Sequence, residues 1–197
     1  MHANPLDYRI SDLNRFPPMK GRLLVSEPFL PDPYFKRSVV LLIEHNDEGT
    51  VGLILNKPLN INLNETFQDF PYFEHEIYMG GPVQASDLFY IHTLGDVIED
   101  SEQISEDLYW GGNFESVKSL LKSKSISNEN LKFFIGYSGW EKGQLDRELS
   151  EDSWLVTEAP VKSIMSRDIK NLWRIILKDM GDQESLMADF PEDPSLN

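Results

Sequence analysis

Ser38-Val39-Val40-Leu41-Leu42-Ile43-Glu44-His45, Asn46-Asp47-Glu48-Gly49 and Thr50-Val51-Gly52-Leu53-Ile54-Leu55 run consecutively, and their reading decides the fold. The first segment is apolar and rich in β-branched residues, the pattern of a buried strand. The break that follows carries Asn, Asp and Gly, which turn a chain through local hydrogen bonds and tolerance of left-handed backbone. The third segment returns as a second strand. Together they predict a β-hairpin over 38–55.

Working outward, Arg22 to Ser26 reads as a short strand, and Glu27 to Pro33 as a loop punctuated by Pro28, Pro31 and Pro33. Residues 1–20 read as an arm. Pro5, Pro17 and Pro18 interrupt any helix there, while Leu6, Ile10 and Leu13 offer apolar contacts. Downstream, a short helix is expected to start near Asn64, which can cap its first turn, followed by strands over Ile77 to Met79 and Leu88 to Thr93. Asp96 to Asp107 reads as an acidic loop or sheet edge. Asn113 is placed to cap a helix carrying Phe114, Val117, Leu120 and Leu121 on one face. Leu131 to Tyr137 reads as a strand, Gln144 to Leu149 as a helix, and Trp154 to Thr157 as a strand. Ile169, Leu172, Trp173, Ile176 and Met180 follow helical spacing up to a stop at Gly181. The rest is an acidic tail with Pro191 and Pro194, expected to fray. No regular alternation of strand and helix appears. The class predicted is α+β with a mixed, largely antiparallel sheet: one domain over 21–181, between an arm at 1–20 and a tail at 182–197.

Composition narrows the chemistry. The chain has 197 residues and no cysteine, so disulfides, thiolate catalysis and Cys-ligated metals are excluded. No apolar run approaches the roughly 18 residues of a membrane span. No secretory signal is legible at the N-terminus, so the expected location is the cytosol. The net charge is −15, and Pro58 to Val117 contains no Lys or Arg. Such a surface repels a phosphate backbone, so direct nucleic-acid binding is not expected. It serves either as a solvated face or as a docking face for a basic partner.

The candidate residues fall into three groups. His45 and His92 each end a strand near a carboxylate, Glu44 and Asp96 respectively, but no histidine pair has metal-ligand spacing. No metal and no cofactor are expected. Gly136-Tyr137-Ser138-Gly139 falls one residue short of a nucleophile elbow and reads as a sharp strand end. Asp32, Lys36 and Arg37 precede the first long strand. Arg37 is suited either to a clamp with Asp32 or to an anionic ligand. Asn56-Lys57-Pro58 and Gly80-Gly81-Pro82 can flank the same place, the glycines either shaping a tight turn or presenting backbone N–H groups to an anion. The ligand-binding set expected is Asp32, Arg37, Asn56, Lys57, Gly80, Gly81, Pro82, Gly139 and Trp140, gathered on one side of the sheet, with Trp140 as a wall.

Taken together, Gly21-Arg22-Leu23-Leu24-Val25-Ser26-Glu27-Pro28, the 32–42 segment, Glu44-His45, Gly52 to Pro58, Gly80-Gly81-Pro82-Val83, Gly136 to Trp140, Gly143-Gln144-Leu145 and Trp154-Leu155 resemble the YqgE/AlgH family of bacterial proteins. The resemblance implies an α+β fold whose bent sheet is partly closed as a small barrel and surrounded by helices. Family members are mostly uncharacterised, and one branch carries the label of transcriptional regulator. This chain departs from many relatives in having Ile43 where they have Cys, and Ser138 where they have Ala. The function expected is a binding or regulatory module for a protein or small molecule, because the motifs lack a nucleophile–base pair. The alternative is a hydrolase with His45 or His92 as base.

Overall fold

The computed structural model describes residues 9–67, 69–74 and 76–192. The elements in chain order are β1 (Leu23–Ser26), β2 (Val39–Asn46), β3 (Gly49–Ile54), β4 (Pro58–Leu59), α1 (Leu63–Thr66), β5 (Ile77–Met79), β6 (Val83–His92), β7 (Glu102–Ser105), β8 (Leu108–Trp110), α2 (Phe114–Lys122), β9 (Leu131–Glu141), α3 (Gln144–Ser150), β10 (Trp154–Thr157), α4 (Val161–Ile164), α5 (Leu172–Met180) and α6 (Asp182–Ala188). The hairpin forms as predicted, with Val40 opposite Ile54 and Asn46 opposite Gly49. Asn46 accepts bonds from the backbone N–H groups of Glu48 and Gly49, which holds the turn.

Among the described residues the sheet has ten strands. Its main path runs β10-β1-β2-β3-β9-β6-β8-β7, and β5 lies between β4 and β9. All pairings are antiparallel except β5 with β9. β9 organises the molecule. Its C-terminal part pairs with β3, and its N-terminal part pairs with β5 and β6. Side chains alternate across the strands, so the hairpin supplies two cores. Leu23, Val25, Val39, Leu41, Leu53 and Leu55 pack with Trp173, Ile176 and Leu177 of α5. On the opposite face, Leu24, Val40, Leu42 and Ile54 pack with Trp140, Leu145 and Trp154. A third cluster joins Phe70, Phe73 and Phe133 to Val117 and Leu121 of α2. That helix is capped as predicted, the Asn113 side chain accepting from the Ser116 N–H.

Several expectations need correction. The partial barrel is not formed, because β10 and β7 end the path without pairing to each other. The arm takes the free edge of β10 instead: Asn14 accepts from the Val156 N–H at 2.6 Å and donates to the Trp154 carbonyl at 3.1 Å. The acidic 96–107 segment, by contrast, is a loop and sheet edge as read: it carries the edge strand β7, with β8 after it. Ile104 and Leu108 are buried while the neighbouring carboxylates face water. Helix α1 starts near Asn64 as read, but the residue at its cap position is Asn62, not Asn64. β6 begins at Val83, five residues earlier than expected. The tail does not fray at once: 182–188 form α6, which buries Ala188 and places Glu184 3.6 Å from Arg15. The remainder of the arm (Pro5 and Leu6 among it) and of the tail (Pro194), together with His2 and His75, lies outside the described residues.

Candidate functional site

A cleft of about 400 Å³ opens where β2 begins, β3 ends and α5 crosses them. Arg37, Asn56 and Lys57 line it, as expected. It is built from the backbone of 36–37 upward. Arg37 adopts φ 50, a left-handed conformation uncommon outside glycine. Two residues leaving β3 brace it. The Asn56 side chain accepts from the Val39 N–H and donates to the Arg37 carbonyl, both at 2.9 Å, while the Lys57 ammonium donates to the Lys36 carbonyl at 2.6 Å. The hairpin register makes this possible, since it sets the start of β2 beside the end of β3. The guanidinium of Arg37 then lies 4.8 Å from the Trp173 ring centroid, a cation–π contact. Trp173 is itself fixed by donating its indole N–H to the Ser26 carbonyl at 2.9 Å.

The charge of the cleft runs against the charge of the chain. Of 18 basic residues, five line it: Arg37, Lys57, Arg167, Lys170 and Arg174. Three acids accompany them: Glu76, Asp168 and Glu192. Among the described residues, Arg37, Lys57, Lys170 and Arg174 form no ion pair. Among the described residues, the buried Nε of Arg37 has no hydrogen-bond partner. Burial pushes the Arg37 guanidinium below its ordinary pKa, with Glu192 opposing the shift and Arg174 adding to it. Burial lowers Lys57 in the same way, Glu192 again opposing and Lys36 adding. Arg167 is also lowered by burial, and it donates to the Leu131 carbonyl at 3.1 Å.

Lys132 lies behind this wall, 2% exposed on β9. Its ammonium donates to the carbonyls of Ile164 and Ser166, at 3.2 and 3.1 Å, and sits 4.4 Å from the Tyr78 ring centroid. It thereby anchors the segment that delivers Arg167 to the cleft. Burial, with Arg167 adding, pushes its pKa down to about 7.

The other predicted residues lie elsewhere. Asp32 does not clamp Arg37. Its carboxylate accepts from the N–H groups of Tyr34 and Phe35, and so shapes the Pro-rich loop. Gly80, Gly81 and Pro82 form a strand crossing rather than an anion cradle. A Cβ on Gly81 would meet the Tyr137 carbonyl carbon at 2.3 Å, and one on Gly136 (φ 68) would meet the Gly81 oxygen at 2.5 Å. Gly80 itself is bonded on both sides, its N–H to Ile135 and its carbonyl to the Ile54 N–H. The backbones of β9 and 80–81 touch because neither carries a side chain there. Gly139 lies opposite Val51 in the β3–β9 ladder, and Trp140 opposite Thr50, toward the hairpin turn. Trp140 also packs on the other sheet face from Trp173, so it is not a wall of the cleft. It belongs to a cluster in which one Glu148 oxygen accepts both the Trp140 and Trp154 indole N–H groups at 2.8 Å. The single site expected on one side of the sheet is therefore divided.

The serine and histidines follow suit. Ser138 is buried and donates to the Gly80 carbonyl at 2.9 Å. His92 is fully buried. Its Nδ1 accepts from the Leu94 N–H, which leaves the proton on Nε2, 3.1 Å from the Gly111 carbonyl. His45 stays half-exposed, with Nδ1 2.7 Å from the Thr50 hydroxyl. Sequence reasoning missed Arg167, Lys170 and Arg174 as site residues. Their signal was local density: three basic residues within 167–174, just before and at the start of α5, in an otherwise acidic chain.

This architecture defines an α+β protein with a ten-stranded, largely antiparallel sheet and a cation-lined cleft at the root of its central hairpin. The chain belongs to the AlgH-like family, whose model matches residues 23–185. It is 42% identical over 185 residues to a UPF0301 protein of Bacteroides thetaiotaomicron, covering 93% of this chain and 94% of that one. A UPF0301 protein of Bacteroides fragilis is 40% identical over the whole length of both chains. The solution structure of the AlgH protein from Pseudomonas aeruginosa matches with a TM-score of 0.70 at 28% identity, covering 87% of this chain and 94% of that one. A crystal structure of a protein from Corynebacterium diphtheriae matches in fold with a TM-score of 0.77 at 21% identity, covering 96% and 100%.

Proposed function

We propose that this protein is a recognition module with a regulatory role, and that its cleft holds an anionic group of a small molecule or a protein. The observation that carries this reading is the gathering of five basic side chains, several without an ion pair, in a chain of net charge −15. Like charges held together in a partly desolvated cleft repel, and an anion between them relieves that cost. Arg37 is built for the task. Its backbone is braced by Asn56 and Lys57, its guanidinium lies over the Trp173 ring, and its buried Nε lacks an acceptor among the described residues. The regulatory role would act through ligand or partner binding rather than direct DNA contact.

The test is thermal unfolding of the full chain with pyrophosphate or citrate. A bound anion raises the midpoint, the rise shrinks with added salt, and Lys57→Gln or Arg37→Gln diminishes it. An unmoved midpoint across both anions at millimolar concentration overturns the reading. The hydrolase alternative rests on the His45–Thr50 contact, since His45 keeps access to a second cleft of about 420 Å³. It requires turnover of an ester or amide that His45→Gln abolishes.

A further inference from the structure

The chain's own C-terminal segment forms one border of the cleft. The Nη2 of Arg37 donates to the carbonyls of both Phe190 and Pro191, each at 2.7 Å. The Phe190 ring stacks on Phe29 at 5.7 Å between centroids and 15° between planes. Glu192 follows into the cleft, where its charge acts on both Arg37 and Lys57. Two backbone carbonyls, an aromatic ring and an acidic side chain thus lie at or beside a guanidinium, a second aromatic ring and an ammonium. These are the terms on which a linear peptide is recognised.

The anchorage is partial. Among the described residues, Arg37 engages this segment through Nη2 alone, while its Nε stays buried without an acceptor. Glu192 is exposed and makes no ion pair within the described structure. Lys170 and Arg174 likewise have none. A peptide with one more carboxylate than 190–192 presents would use these groups.

Building on the proposed anion cleft, we infer that its physiological occupant is an acidic linear peptide of a partner protein, with an aromatic residue ahead of its carboxylates, and that residues 190–192 are an internal competitor for the same seat. Such a strap lowers the apparent affinity for an outside peptide by the fraction of time the cleft stands open. It also sets a threshold, since only a peptide that binds better than the tail displaces it.

The experiment uses full-length protein and a fluorescein-labelled synthetic peptide with the sequence of residues 188–197, followed by anisotropy. Wild type should bind the probe weakly. The double variant Phe190→Ser, Glu192→Gln should bind it about tenfold more tightly, if the strap is seated nine-tenths of the time. Adding Lys57→Gln to that background should reverse the gain. Glu192→Gln alone, a milder change at an exposed position, should shift affinity in the same direction. Equal affinity of wild type and both loosened variants overturns the inference. If the loosened variants bind pyrophosphate but not the peptide, the peptide inference fails and the anion cleft stands. If they bind neither, both fail.

Discussion

At the crossing of Gly80, Gly81 and Gly136, three glycines bring two backbones into contact, and the Gly80 N–H, the Gly80 carbonyl and the Ser138 hydroxyl each have a partner. At the root of the hairpin, Arg37, Asn56 and Lys57 also brace a strained turn, but what they hold up is left incomplete among the described residues: a buried Nε without an acceptor, and Lys57, Lys170 and Arg174 without an ion pair although three acids line the same cleft. The two places share an appearance in sequence, short motifs of Gly, Pro and Asn at strand ends. Satisfaction separates them. A closed hydrogen-bond inventory marks structure, whereas surplus charge facing a cavity marks a site with something to bind.

That contrast can be broken most easily at the crossing. Gly136→Ala places a Cβ within 2.5 Å of the Gly81 oxygen in left-handed backbone. The expected loss exceeds about 4 kcal/mol, the range reserved for such clashes. A denaturation midpoint close to wild type would show the crossing to be loose. Trp173→Ala removes a buried aromatic that serves both the core and the cleft, and should cost about 3–5 kcal/mol in urea unfolding. A small shift would mean that α5 is held mainly by its other contacts.

Glu148→Ala leaves the indoles of Trp140 and Trp154 without their shared acceptor. The expected cost is about 1–3 kcal/mol for each orphaned donor that water cannot reach, with altered near-ultraviolet circular dichroism. Anion or peptide binding should be unaffected, because this cluster lies on the sheet face away from Trp173. Loss of binding in this variant would rejoin the two regions into one site.

Lys132 sharpens the comparison through pH. Its folded-state pKa of about 7 lies below the ordinary 10.5. Between those values the unfolded chain binds a proton that the folded chain does not, so stability rises with pH across that window and falls toward pH 7. Its slope is at most about 1.4 kcal/mol per pH unit. Lys132→Met should flatten the dependence between pH 7 and 9, and an unchanged profile would show that the lysine is charged in place. The smallest effect expected concerns DNA. The cationic patch is confined to a cleft in an acidic protein, so duplex DNA should give no salt-sensitive mobility shift near physiological ionic strength.

The sequence by itself determined the hairpin, the α5 stripe, the Asn113 cap and the α+β class. Each is written in contacts between near neighbours: alternation along a strand, three-and-four spacing on a helix, a side chain reaching three residues ahead. It also picked out Arg37, Asn56 and Lys57, because a hairpin joins its own two ends. Only the tertiary structure decided what lay between distant segments. Trp140 and Trp173 fall on opposite faces of one sheet, a matter of pleat register that composition does not carry. Arg167, Lys170 and Arg174 reach the hairpin root from 110 or more residues away in the chain, and the acidic tail returns to Arg37 across 153. Asn14 of the arm takes the free edge of β10, a pairing that spans 142 residues. Long-range partners of this kind are chosen by packing and by the need to satisfy polar groups, which act only once the chain has folded.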